Sequence, residues 1–247
     1  MMQKIILLVL SFFDYFHKKE IINFFKKNFN SLNIVFDVGA HKGESIELFT
    51  SNFVVKELYS FEPSFKNFSY LKSNIHKIQN KYKSTNFEIF NFGFGDATNR
   101  LMLKQTTESS SSTLSDISQK SKYYKKKIKF LDTKESNKFF FEEFEVEIKS
   151  MDSFVNEKNI KKIDILKIDT EGHEYYVLKG FSKHMKIVKF ILFEHHYDDM
   201  LIKKYTFSDI NKILIENNFT KAYKAKMPFR KVFDYIYVNK NIKINKI

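Results

Sequence analysis

The chain has 247 residues, and 43% of them are hydrophobic, which suits one large domain and excludes a disordered chain. It carries 42 Lys and Arg against 29 Asp and Glu, a formal net charge of +13, with no cysteine and no tryptophan. Without cysteine there is no disulfide framework, zinc finger, iron–sulfur cluster or cysteine nucleophile, and a reducing compartment fits.

Nearly all of the positive charge is lysine; Arg100 and Arg230 are the only arginines. A specialised nucleic-acid reader would use arginine's bidentate fork on phosphate and guanine. Nucleic acid is therefore not the expected partner, and attraction to anionic membrane surfaces or anionic glycans is.

Residues 5–13 form an apolar run, short of the roughly 20 residues a bilayer span takes. Asp14-Tyr15-Phe16-His17 follows in place of a small-residue cleavage site. Ile5, Leu8, Val9, Phe12, Phe13 and Phe16 recur at helical spacing, so residues 1–32 are expected to be a helical extension packed on the domain. Lys18, Lys19, Lys26 and Lys27 allow an interfacial membrane helix as the alternative.

Ile34–Val38 predicts a first strand ending at Gly39, and Glu44–Phe53 a helix. Leu58–Glu62 predicts a second strand stopped by Pro63. Ser64 can cap the next helix, with Phe65, Phe68, Leu71, Ile75 and Ile78 on one face. Phe87–Phe92 predicts a third strand closing at Gly93–Gly95. The stretch 105–145 breaks this rhythm with a serine run and a lysine cluster. It is expected to be an insertion or mobile loop over the ligand face, or else a plain surface excursion. Glu145–Ile148 reads as a half-exposed strand leading back into the core. Ile163–Ile168 predicts a fourth strand ending at Asp169, and a helix follows from about Glu174, with Gly180 as its C-terminal cap. Phe190–Phe193 is a continuous apolar strand of the parallel-sheet kind. Ser208 or Asp209 caps a helix carrying Ile210, Ile213 and Leu214, and Phe233–Val238 is a last strand. The alternation predicts a doubly wound α/β fold.

Five of the six glycines follow the first, third and fourth strands, at the carboxyl ends where open α/β sheets bind ligands. The first turn reads Asp37-Val38-Gly39-Ala40-His41-Lys42-Gly43-Glu44. His41 and Glu44 break the dinucleotide fingerprint, which needs small residues there. Glu62 ends the second strand 23 residues after Gly39, near the spacing at which an acid accepts ribose hydroxyls. The combination suggests a nucleoside without a pyrophosphate, with Asp96 placed to accept from an adenine amino group. Taken singly, Asp37 and Asp96 also read as turn or cap residues.

With these residues in view, the sequence resembles the FkbM family of S-adenosylmethionine-dependent methyltransferases, of the class I fold. The matching runs are Phe36–Ser45, Phe61-Glu62-Pro63, Ser150–Phe154 (with Met151 where Leu is usual) and Asp164–Glu174 continuing through Val177–Gly180. They lie within about residues 33–200. The resemblance implies a Rossmann-like, mostly parallel seven-stranded sheet and a methyltransferase domain over 33–247, with 105–145 as an insertion or acceptor-side loop. It implies O-methylation of a hydroxyl on a sugar, glycan or macrolide-type natural product. It also implies S-adenosylmethionine held by Asp37, Gly39 and Ala40 at its methionine part, by Glu62 at its ribose and by Asp96 at its adenine end. His41, Pro63 and Asp169 would lie alongside.

Methyl transfer is an in-line displacement, so alignment matters most, and an alcohol needs a base as the new bond forms. The ends of strands four and five offer Asp169, Glu171, His173, Glu174, Glu194, His195 and His196. Asp169 is expected nearest the donor–acceptor junction, and His195 or His196 is the expected base. Strand alternation points only one of those two rings at the ligand. A metal is not expected; the alternative is Mg²⁺ or Mn²⁺ on Asp169, Glu194 and His195. The competing functions are a nucleic-acid methyltransferase and a non-catalytic binding module that retains the fold. Base aminomethylases carry an Asp/Asn-Pro-Pro-aromatic motif where this chain has Asp169-Thr170-Glu171-Gly172. The expected location is cytoplasmic, with peripheral contact at the inner face of the membrane as the alternative. The oligomeric state is left open.

Overall fold

The computed structural model describes the backbone of residues 2–106, 111–131 and 141–241, and side chains over 12–106, 111–126 and 142–241. In chain order the first half comprises α1 (Met2–Lys26), β1 (Ser31–Val38), α2 (Glu44–Asn52), β2 (Val54–Phe61), α3 (Phe65–Lys81) and β3 (Asn86–Phe90). Then come β4 (Gly93–Gly95), β5 (Asn99–Thr106), β6 (Asp116–Ile117), α4 (Lys122–Leu131), β7 (Phe141–Ser150) and α5 (Met151–Glu157). The remainder is β8 (Ile163–Ile168), α6 (Glu174–Lys179), β9 (Val188–His196), β10 (Leu201–Ile202), α7 (Phe207–Glu216), β11 (Phe219–Lys226) and β12 (Val232–Asn239).

The central sheet has seven strands in the order β11-β12-β9-β8-β1-β2-β3. β12 runs antiparallel to both neighbours, while the contacts among β9, β8, β1, β2 and β3 are parallel. Period-2 alternation sends successive side chains to opposite faces. Val35, Ile165, Phe190, Leu192 and Ile236 pack toward α1, α2 and α3. Phe36, Val38, Leu166, Ile168, Phe193 and Tyr235 pack toward α5, α6 and α7. Both faces are covered, as a parallel sheet requires.

The C-terminal half of α1 belongs to this core: Ile21, Ile22, Phe24 and Phe25 are buried on the sheet. No helix among the described residues is long and apolar enough to cross a membrane.

Several expectations are corrected. Strand three stops at Phe90, and Gly93–Gly95 joins a separate three-stranded sheet, β4-β7-β5. β7 pairs antiparallel with β5 along Asn99–Thr106, so Glu145–Ile148 builds this side sheet rather than returning to the central one. Much of the expected loop is thus regular structure; residues 107–110 and 132–140 lie outside the described residues. Thr206, not Ser208 or Asp209, caps α7, and Asp209 completes a capping box by accepting the Thr206 amide at 2.8 Å. Gly180 ends α6 without a left-handed turn (φ −74°). Its need is space: a Cβ there would stand 1.9 Å from the Gly95 carbonyl oxygen.

Candidate active site

A cavity of about 1160 Å³ opens at the carboxyl ends of β1, β2, β8 and β9. Its floor is the rim of the sheet. One wall is formed by Asp14, His17 and Lys18 of α1 with Asp234 of β12, and another by Ser111, Leu114 and Tyr123 from the stretch before β7.

The first two strand ends form a tight backbone cradle. Gly39 and Ala40 both donate their amides to the Phe61 carbonyl, at 2.9 and 3.0 Å. Gly39 has φ +82°, and a Cβ on it would lie 1.8 Å from the Asp169 carbonyl oxygen, so glycine alone fits. Glu62 leaves β2 with its carboxylate turned back over the turn. Its Oε2 accepts the His41 amide and its Oε1 the Ser64 amide, each at 2.9 Å. Burial nonetheless pushes its pKa up to about 7.

Asp37 is fully buried, and its register partner across the β1–β8 ladder is Lys167. Lys167 Nζ lies 3.1 Å from Asp37 Oδ1 and 3.3 Å from Asp169 Oδ2. Burial works against its charge, but the two carboxylates outweigh burial and hold it protonated. Burial raises the Asp37 carboxyl, with Lys167 pulling the other way. Asp37 Oδ2 is buried without a hydrogen-bond partner. Two carboxylates share one ammonium, so this part of the rim favours a further cation.

The loop after β8 is shaped chiefly by the Glu174 side chain. Glu171 (φ +49°) and Gly172 (φ +96°) are both left-handed. Glu174 Oε1 accepts the Gly172 amide at 2.8 Å and the Thr170 hydroxyl at 3.0 Å, while its Oε2 accepts the Tyr205 hydroxyl at 2.7 Å. Glu174 is thereby the anchor of the loop. Thr113 and Ser115 donate to the carbonyls of Glu171 and Gly172, which ties the segment before α4 to the same loop.

At the end of β9 the two histidines part. His196 lines the cavity, with Nε2 at 2.7 Å from Glu194 Oε1 and 3.2 Å from Glu171 Oε2, and Nδ1 at 3.0 Å from Asp198 Oδ2. Burial opposes its charge, but Glu171, Asp198 and Glu194 together raise its pKa well above the ordinary value. Burial, with Asp169 nearby, raises that of Glu194. His195 points to the opposite face, against Tyr197 and Phe207. Burial, aided by Lys203 and His196, pushes its pKa down to about 3. His195 does not line the cavity, which corrects its place both among the base candidates and in the Asp169–Glu194–His195 metal set. Among the described residues the compact ligand group is instead Glu171, Glu194 and His196.

A model of the methyltransferase FkbM domain matches residues 37–225, about three quarters of the sequence. The chain belongs to the FkbM methyltransferase family. A solved FkbM methyltransferase from Methylobacillus flagellatus superposes with a TM-score of 0.53 at 14% identity, over 84% of this chain and 44% of that one. The chain therefore spans less than half the length of that protein. TrmK of M. capricolum, solved in complex with S-adenosyl-homocysteine, gives 0.50 at 12% identity over 94% of this chain and 71% of that one. A putative rRNA-methylase from Clostridium thermocellum gives 0.51 at 7% identity over 89% and 93%. At such identities the likeness is one of fold, here the seven-stranded methyltransferase sheet. No protein of curated function matches the sequence.

Of the FkbM-type residues expected at the cofactor, Gly39, Ala40, His41, Glu62, Pro63 and Asp169 line the cavity. Asp37, expected there too, does not line it: its side chain is fully buried and reaches the cavity only through its bond to Lys167. Asp96 does not line it: its carboxylate pairs with Lys179 at 3.3 Å on the surface, because β4 carries the chain into the side sheet. Sequence reading missed Lys167, His17 and Asp234, all of which line the cavity. His17 Nε2 lies 2.6 Å from Asp234 Oδ2, a contact between residues 217 positions apart. Lys167 alone left a signal, as the one basic residue inside the largely apolar run Ile163–Ile168.

Proposed function

We propose that this FkbM methyltransferase uses S-adenosylmethionine to methylate a hydroxyl of an anionic saccharide. The carrying observation is the convergence of Gly39, Glu62 and the Asp37–Lys167–Asp169 group on one rim, facing the Glu171–Glu194–His196 cluster.

The rim fits the cofactor. Gly39 lets a ligand lie close against backbone, and Glu62 retains acceptor capacity for a ribose hydroxyl, since a carboxylate offers about four acceptor positions. The carboxylate excess around Lys167 suits a sulfonium. When bound, the cofactor supplies an activated methyl group. The residues then have to orient the acceptor, exclude water and take its proton. Asp169, partly exposed beside the cradle, accepts that proton on its carboxylate in place of His196, which its three carboxylate neighbours keep charged; Lys167 holds the Asp169 carboxylate in place, and His196 holds Glu171 and Glu194 at the cavity wall. Lys126 and Lys231 line the cavity together with Tyr123 and Phe229. This pairing suits a sugar stacked on aromatic rings and carrying an acidic group.

Calorimetry with S-adenosylhomocysteine tests the cofactor assignment, and labelled S-adenosylmethionine with a saccharide fraction of the cell envelope tests the acceptor. Asp169→Asn and His196→Ala are each expected to retain the cofactor and lose transfer. Full transfer in both variants would refute the assignment of roles. The reading places the enzyme in the cytoplasm. Exposed Phe12, Tyr15 and Phe16 beside Lys18 and Lys19 favour peripheral contact with anionic membrane. Flotation with phosphatidylserine-containing against neutral vesicles checks it; equal recovery would reject it.

A further inference from the structure

The cluster on the acceptor side holds more carboxylate than its histidine can satisfy. Asp198 Oδ2 stands 3.0 Å from His196 Nδ1, and Asp198 is itself fixed by the Met200 amide at 2.9 Å. A carboxylate in that position keeps the ring proton on Nδ1 and turns the Nε2 lone pair to the other side, the usual arrangement behind a metal-ligating imidazole. On that other side are Glu194 Oε1 at 2.7 Å and Glu171 Oε2 at 3.2 Å. An unprotonated Nε2 would face two carboxylate oxygens with no positive charge between them. A protonated one places a single positive charge between Glu171 and Glu194, while Lys203 adds its charge on the Asp198 side, at the His196 carbonyl.

The geometry matches a cation in place of that proton. The three inward atoms, Glu171 Oε2, Glu194 Oε1 and His196 Nε2, lie within 4.8 Å of one another. Adjacent ligands about 2.1 Å from an octahedral cation stand about 3 Å apart, and 2.7 and 3.2 Å bracket that spacing. Glu194 and His196 are buried on β9, and the left-handed loop anchored by Glu174 brings Glu171 up to meet them.

We propose that Glu171, Glu194 and His196 bind one divalent cation of the Mg²⁺–Mn²⁺ class, with Asp198 orienting the imidazole. Two carboxylates with one imidazole and no thiolate select that class over softer metals. Three protein ligands leave the remaining positions to water and to an acceptor oxygen. The inference rests on the methyltransferase reading for its purpose: a hydroxyl on the cation becomes acidic enough for a carboxylate to deprotonate. The hydroxyl proton then passes to Asp169. The oxygen–carbon bond forms as the sulfur–carbon bond breaks, and that bond's electron pair stays on sulfur.

The test is Mn²⁺ titration of the full chain, followed by electron paramagnetic resonance and by calorimetry, with Mg²⁺ as competitor. One Mn²⁺ per chain is expected. His196→Ala and Glu194→Gln should weaken it at least 100-fold, Asp198→Asn about 10–100-fold, and His195→Ala should leave it bound. Glu171→Gln changes a part-exposed side chain on a loop, so it keeps the test decisive if the buried variants misfold; at least tenfold weakening is expected. No Mn²⁺ bound at millimolar concentration to folded protein, or equal binding in wild type and Glu171→Gln, would overturn the site. S-adenosylhomocysteine binding in chelator is measured in parallel. Binding there without any Mn²⁺ site would sink the cation and leave the methyltransferase reading intact.

Discussion

Glu62 is expected to make the ligand-free protein less stable as pH rises, and substitution by Gln isolates the effect. Its carboxyl has an ordinary pKa of 4.5 and a folded value of about 7, because it is buried at the sheet rim. Between those values the folded state keeps the proton and the unfolded state has released it. Stability is therefore fully present below pH 4.5, falls by about 1.4 kcal/mol per pH unit above it, and is lost by pH 7. The whole drop comes to about 3 kcal/mol. In Glu62→Gln this contribution vanishes, although the amide cannot accept from both the His41 and Ser64 amides, which costs about 1–3 kcal/mol at every pH. Urea denaturation of both proteins at half-unit steps from pH 4.5 to 8 should show the wild-type advantage shrinking by about 3 kcal/mol across the range. A ligand hydroxyl on the ionised carboxylate reverses the slope for binding. S-adenosylhomocysteine should bind the wild type about tenfold more tightly per pH unit up to 7 and level off above it, with Glu62→Gln weaker and flat. A stability difference that stays constant over this range would refute the burial argument. A pH-independent affinity equal in both proteins would remove Glu62 from the binding site.

Gly39→Ala forces a Cβ to 1.8 Å from the Asp169 carbonyl at φ +82°; the turns after β1 and β8 must separate, and calorimetry should show S-adenosylhomocysteine binding at least 100-fold weaker. Tyr205→Phe removes the hydroxyl that donates to the buried Glu174 carboxylate and should cost about 1.5–3 kcal/mol in urea denaturation. Phe25→Ala empties a fully buried site between α1 and the sheet and should cost about 3–5 kcal/mol. An unchanged melting temperature there would mean α1 is an appendage rather than part of the core.

The sequence displayed this fold wherever local signals and burial agree. Val35–Val38 and Phe190–Phe193 are buried on both faces and read as apolar runs, broken in the first only by Asp37. β5 and β11 were not legible: Asn99–Thr106 and Phe219–Lys226 are half-exposed strands interrupted by Arg and Lys, with little apolar run to find. The cradle could be read from Gly39 and Glu62 because it is built from turns close in sequence. The electrostatics could not. Lys167 meets Asp37 across a ladder of residues 130 positions apart, and only the register places them together. Alternation required His195 and His196 to diverge, but which one faces the ligand depends on how β9 pairs with β12, where Asp234 stands opposite Glu194.

That register also divides the cavity by origin. The cradle, the Lys167 pair and the Glu171–Glu194–His196 cluster all fall within residues 37–225, the segment that matches the family. His17 and Asp14 precede that segment, while Asp234 and Arg230 follow it, and these four meet each other as two pairs, His17 with Asp234 and Asp14 with Arg230. α1 is therefore not held by apolar contact alone. Its middle turns bring charged partners to a wall of the cavity that lies outside the segment matching the family. A donor common to a family needs a shared cradle, whereas an acceptor particular to one member has to be met by residues outside it. Exchange of residues 1–32 between FkbM proteins should accordingly alter which acceptor is methylated while leaving S-adenosylhomocysteine affinity within about threefold, as expected when no cradle contact is touched.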